Sequence, residues 1–230
     1  MQSAPDKLAV SVSEAGFVID KPARIVNRAI DQGEIDAKTS AATTKVVQAA
    51  GKAKATPRRQ VRVRIVGRAE LRYLMVLAAG LDKDLTPAGR RRIYQGIKQL
   101  PANEHRLRWG STWLELDAVD AALSDRLARL ETLKRAVDSA GRDEPVLRGT
   151  EVPVYPVAAL ARGETIEEIL EDYPGLSREQ VEVAIDYASA YPKPGRPYPE
   201  RSFKRMLADL ADSGGLDADP EEPATPDMFR

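Results

Sequence analysis

The sequence predicts a mainly α fold with small β elements, and three observations carry that prediction. Apolar residues recur at three- and four-residue steps in most segments, the period of a half-buried helix. Clear β signals are few: a period-two run at Gln60–Val66 and a hairpin pattern at Leu107–Leu116. Ser, Thr, Pro and Gly stand where helices need caps and stops. The expected order is a winged helix-turn-helix at residues 1–67 and a helical and hairpin region with a dimerisation helix at 68–142. A helix-turn-helix-like domain at 143–195 follows, and a linker, helix and flexible tail close the chain at 196–230.

Composition narrows the function. The 230 residues are 43% hydrophobic, enough for real cores, and include no cysteine. Neither a signal-peptide pattern nor an apolar run of bilayer length occurs, so no membrane role and a cytoplasmic location are expected. Net charge is zero, but its distribution is polar. Residues 1–44 carry 5 basic and 6 acidic side chains, residues 45–110 carry 16 and 4, and residues 111–230 carry 14 and 25. A net of +12 ahead of a net of −11 suits a polyanion-binding front and a partner-binding rear. With one histidine (His105), no thiol and no glycine-rich phosphate loop, the chain offers no catalytic constellation. Its acidic residues lie on helix faces without a ligand loop. No enzyme activity, metal or cofactor is expected.

In chain order, Ser11 or Ser13 caps a short helix with Ala15, Val18 and Ile19 on one face. Pro22 suits the first turn of a second helix, which buries Ile25, Val26, Ala29 and Ile30 and stops at Gly33. Lys21, Arg24, Asn27 and Arg28 fall opposite. Arginine reads guanine and asparagine reads adenine, so this face fits DNA as well as plain solvent. From Lys45 to Arg68 there are eight basic residues and no acid. Within that stretch Val61, Val63 and Ile65 alternate with Arg62 and Arg64, behind Arg58 and Arg59. Such a basic strand reads as a wing contacting phosphate, or as a basic linker.

Gly67–Ala79 is expected to be a helix with Leu71, Leu74, Met75 and Ala78 inward, and Thr86-Pro87 starts another with Ile93, Ile97 and Leu100 inward. Arg90, Arg91 and Arg92 face out of the latter, toward solvent or phosphate. Trp109 and Trp113 flank the turn Gly110-Ser111 and read as core or interface residues. Asp117 opens a long helix whose Leu123, Leu127, Leu130, Leu133 and Val137 make a seam fit for a partner helix or a second copy.

After it come an edge strand around Val152-Pro153-Val154, a helix N-capped by Thr165, the stop Pro174-Gly175, and a helix capped by Ser177. The run Arg148-Gly149-Thr150, Val152-Pro153-Val154, Gly163, Glu167 to Leu170, Tyr173 to Leu176, Val181 and Ala184 to Tyr187 resembles a bacterial and archaeal domain-of-unknown-function family, numbered four-three-three. That family is linked to VapB-type antitoxins. An Arg commonly follows Gly-Thr there, whereas this chain has Glu151. Its surface is also acidic, with Glu164, Glu167, Glu168, Glu171, Asp172, Glu179, Glu182 and Asp186, so docking rather than DNA contact is expected of it.

The resemblance implies a type II antitoxin that binds operator DNA as a homodimer and lays its C-terminal segment across a PIN-like, VapC-type ribonuclease toxin. Phe203, Met206, Leu207 and Leu210 then supply an apolar helix face, and Phe229 lies in the tail. Arg201, Arg205 or Arg230 meets the toxin's acidic site. A stand-alone transcription regulator and an RNA-binding adaptor remain the other readings.

Overall fold

The computed structural model describes residues 8–43, 60–81, 85–101, 103–139, 144–193 and 195–212. Mainly α with small β elements is what it shows. Strand β1 (Val10–Ser11) leads into helix α1 (Val12–Val18), followed by α2 (Ala23–Asp31). Strand β2 (Lys38–Thr43) and strand β3 (Gln60–Val66) complete a three-stranded antiparallel sheet in the order β1-β3-β2. Lys38 pairs with Ile65 and Thr43 with Gln60, while Val10 pairs with Val66. Helix pair and strand pair follow one another in the order that the sequence suggested.

Alternation along β3 runs differently from expectation. Val66 is buried and shares its face with Arg64 and Arg62, whereas Val63 and Ile65 are only half buried. Val66 joins the helical core at the end of the strand, Arg64 reaches α2, and Arg62 stays exposed.

Helices α3 (Arg68–Ala78) and α4 (Pro87–Gln99) come next, then the hairpin of β4 (Arg106–Trp109) and β5 (Thr112–Glu115), with Gly110 at φ +60 in its turn. Glycine reaches that left-handed region without a Cβ clash. Thr86 caps α4, its hydroxyl accepting from Gly89 N at 3.1 Å, and Pro87 occupies the first turn as expected. Helix α5 (Asp117–Ala136) starts at Asp117, with Leu116 rather than Asp117 at the N-cap position.

Its leucine seam faces inward. Leu123, Leu130 and Leu133 are 0%, 1% and 3% exposed within the single chain, so helices of the same chain cover this part of the seam. The reason is topological: α5 runs past both halves of the molecule and is long enough to serve both cores. One core joins residues from Val10 to Leu130 and adds Ala190, so it crosses the expected boundary at residue 67. A second is built from Val137, Leu147 and residues 154–184.

That second core belongs to strands β6 (Val137–Asp138) and β7 (Val146–Leu147) and helices α6 (Val154–Leu160), α7 (Ile166–Asp172) and α8 (Arg178–Ala190). The strand expected at Val152–Val154 is displaced to Val146–Leu147. Pro153 makes a lone bridge to Val146 and caps α6, whose first residue is Val154. Proline's fixed φ suits a helix start better than a ladder. Thr150 locks the intervening turn, its hydroxyl donating to Leu147 O at 2.9 Å and accepting from Val152 N at 3.1 Å, with Gly149 at φ +80. Thr165 with Glu168 and Ser177 with Gln180 form full capping boxes on α7 and α8. Helix α9 (Phe203–Asp212) ends the described chain. Among the described residues no helix is long and apolar enough to cross a membrane.

Candidate functional site

The basic surface is built on α2. Ser11 and Glu14 box the start of α1, with Glu14 N donating to Ser11 Oγ at 3.3 Å and Ser11 N to Glu14 Oε2 at 2.7 Å. The chain then turns through Asp20 at φ +54. A Cβ on Gly16 would stand 2.8 Å from Lys21 O and 3.0 Å from Ala23 N. Only glycine lets α1 and the head of α2 approach so closely, a role the sequence pattern did not single out. Helix α2 buries Val26 and Ala29 and leaves Lys21, Arg24 and Arg28 exposed.

Two of the predicted contact residues are engaged with each other. Arg64 Nη1 donates to Asn27 Oδ1 at 3.2 Å and to Asp31 Oδ1 at 2.7 Å, tying β3 to α2. Arg62 is exposed beside it. Arg58 and Arg59 lie outside the described residues. The structure thus leaves Arg24 and Arg28 exposed on α2 with Lys21 in the turn ahead of it, and Arg62 and Arg64 on β3.

Behind this surface, α1 is fastened to the C-terminal half. Tyr191 Oη donates to Glu14 Oε1 at 2.6 Å, Lys134 Nζ lies 3.1 Å from the same oxygen, and Arg126 Nη1 donates to Val18 O at 2.9 Å. Burial opposes charge on Glu14. The Tyr191 hydroxyl, the Ser11 amide and hydroxyl and the Lys134 ammonium outweigh it and hold the carboxyl below its ordinary range. Arg129 pairs with Asp186, and Tyr155 Oη donates to Tyr191 O at 3.0 Å. The sequence linked none of these pairs, because each partner lies far along the chain.

The C-terminal helix is held by charge. Arg205 sits among three carboxylates, Glu168 at 3.1 Å, Glu171 at 3.2 Å and Glu164 at 3.7 Å. Lys204 lies 3.5 Å from Asp172, and Ser202 N donates to Glu164 Oε1 at 2.7 Å. The linker backbone docks as well. A Cβ on Gly163 would come within 2.5 Å of Glu200 O, so that glycine provides the landing. Arg201 pairs within the segment, with Asp209. Met206, Leu207 and Leu210 are 50%, 42% and 43% exposed. Phe203 opens the helix; its side chain, with Phe229 and Arg230, lies outside the described residues. Acidic residues of the α7 face, read from sequence as a docking surface, are therefore met by the chain's own α9. Among the described residues no cluster of His, Asp or Glu could hold a metal ion.

Comparison with known proteins places the central motif. The uncharacterized protein y4eO of Sinorhizobium fredii is 38% identical over 98 residues, which cover 42% of this chain and 41% of that protein. The match thus spans less than half of the relative's length. No solved structure matches. Residues 142–188, the segment that folds as β7, α6, α7 and most of α8, match the family model described as a protein of unknown function (DUF433), and the chain carries a domain of that family.

Proposed function

We propose that this chain is the antitoxin of a type II toxin–antitoxin pair. Its winged helix would bind operator DNA for autoregulation, and its C-terminal segment would neutralise a PIN-like ribonuclease toxin. One observation carries the reading: α9 keeps Met206, Leu207 and Leu210 exposed and is tethered to the DUF433 domain by ion pairs. Exposed ion pairs are individually weak, on the order of 0–1 kcal/mol, so a partner can exchange them. An apolar helix face beside replaceable charges fits a groove that offers carboxylates. Arg205 already has the geometry for such a site, since its guanidinium serves three carboxylates at once. On the DNA side, support comes from the exposed Lys21, Arg24 and Arg28 on a helix that follows a tight turn and precedes a wing.

Deleting residues 197–230 tests the toxin half. Co-expression with the neighbouring ribonuclease should then no longer rescue growth, while gel shifts on the operator persist. Rescue by the truncated chain would overturn it. Changing Arg58, Arg59, Arg62 and Arg64 together to Ala tests the wing, and an unchanged affinity and salt slope would rule it out. A stand-alone regulator is the second reading. It is favoured by the Tyr191–Glu14 contact, which couples the rear domain directly to the helix-turn-helix. An adjacent reading frame with a PIN-like acidic quartet separates the two.

A further inference from the structure

We infer that residues 87–115 form a second head for duplex DNA. Its parts are the exposed row Arg91, Gln95 and Gln99 of α4, with Arg92 beside it, and the outer face of the β4–β5 hairpin carrying Arg108 and Trp113. This deepens the DNA-binding half of the proposed function and is independent of the toxin.

The order helix, helix, hairpin occurs twice in the chain, as α1, α2, β2–β3 and as α3, α4, β4–β5. In the first unit β3 packs on α1 and reaches the second helix through one side chain, whereas in the later unit β4 packs on the second helix. Arg64 of β3 reaches Asn27 and Asp31 of α2. In the later unit Leu107 of β4 presses on α4 at Gly96, where a Cβ would stand 2.7 Å from its Cδ1, and Trp109 lies over Gly89. Gly96 thus admits the hairpin, while a Cβ at Gly89 would meet Trp109 only in ordinary contact at 3.6 Å.

The faces of α4 are divided. Ile93, Tyr94 and Ile97 are buried. Arg90 pairs with Glu34 at 3.4 Å, Lys98 pairs with Asp36, and Tyr94 Oη accepts from Asp36 N at 3.0 Å. These bonds fix α4 to the loop that follows α2. Arg91, Gln95 and Gln99 remain exposed at i, i+4 and i+8. Arginine and glutamine are the side chains that pair in two-pronged fashion with guanine and adenine edges.

Charge on the hairpin is arranged likewise. Arg106 is neutralised by Glu115 at 2.8 Å and lies 5.5 Å over the Trp113 ring. Arg108, directly across from Trp113, donates to Gly110 O, and Arg92 lies 5.9 Å over Trp109. Arg91, Arg92 and Arg108 have no carboxylate partner among the described residues. Trp113 is 53% exposed, an unusual position for a large aromatic that the core leaves out. A row of hydrogen-bonding side chains on a helix needs a groove that admits a helix, which B-form DNA offers and A-form RNA does not. Single strands prefer several stacking aromatics, and this face offers only Trp113.

The test uses the full chain and mixed-sequence duplexes of about one and about three helical turns, on the order of 10 and 30 bp. Fluorescence anisotropy is read over a salt series, with a single-stranded RNA as the competing probe. Replacing Arg91, Arg92 and Arg108 by Ala should weaken binding to the longer duplex about tenfold or more and lower the salt slope by about 2–3. Arg91→Glu, at an exposed helix position that does not disturb folding, should act in the same direction. Trp113 fluorescence should be quenched by the longer duplex, and Trp113→Phe should abolish that quench. Unchanged affinity and slope in the triple variant would overturn the inference, as would tighter binding of RNA than duplex that depends on Trp113. Arg24→Ala with Arg28→Ala keeps the two readings apart. If that pair matters and the triple variant does not, the second head is wrong and α2 stands. If the triple variant alone matters, α2 loses its role and the second head stands.

Discussion

Glu14 closes the capping box of α1 and also anchors the tail end of α8. It is 8% exposed, so its charge depends on the groups facing it, Tyr191, Ser11 and Lys134. Removing the hydroxyl with Tyr191→Phe takes away one hydrogen bond to a charged acceptor. We expect a loss of about 2 kcal/mol, a fall in Tm of about 4–8 °C by thermal melting. Because the folded carboxyl is held below its ordinary value, the unfolded chain binds the extra proton first as pH falls. The stabilisation is present above the ordinary carboxylate range and fades as pH drops through the folded value. The Tm gap between wild type and Glu14→Gln should therefore narrow below about pH 4.5. A gap that stays constant from neutral pH to pH 3 would remove Glu14 from this role. Sequence offered Ser11 or Ser13 as the cap but gave no hint that Glu14 meets Tyr191, since no local pattern links residues that far apart. By contrast Thr165, Glu168, Ser177 and Gln180 were legible, because a capping box is written within four residues.

Elements were read most reliably where their signals are local. The hairpin at Gly110, the proline start of α4 and the helices of the DUF433 domain follow from turn and cap chemistry alone. The strand near Pro153 and the faces of β3 were misread, because which face of a short strand is buried depends on what packs there. Attachment of α9 is a further case. The sequence shows its apolar row and its basic residues, but only the fold puts Arg205 against Glu168 and Glu171. Gly163→Ala tests that attachment, since its methyl group collides with the Glu200 carbonyl while leaving α7 intact. Amide hydrogen exchange in α9 should speed up several-fold with helix content otherwise unchanged. Equal protection in the variant would mean that the linker does not depend on this contact.

On the scale of the whole molecule, the two cores are joined by α5 and by the seat of Ala190 in the N-terminal core. Leu130 of α5 belongs to one core, and Val137, directly after the end of that helix, belongs to the other. Such shared packing makes the halves unfold together. Calorimetry should give one transition with matching calorimetric and van't Hoff enthalpies. Two resolved transitions would show that α8 and α1 are not coupled, and would weaken any account in which a partner bound at α9 alters the α1–α2 pair.

Charge polarity, the cap-to-cap helix order, the basic strand and the DUF433 motif are properties of the sequence by itself. Each rests on composition or on neighbours a few residues apart, and each survives in the fold. The tertiary structure decided which surfaces remain available. It turned the leucine seam of α5 inward, spent Arg64 on Asn27, and laid α9 on the acidic face of α7. It also set a second helix pair and hairpin beside the first. Burial and ion pairing are relations between distant segments, and a list of residues cannot say which partners will meet.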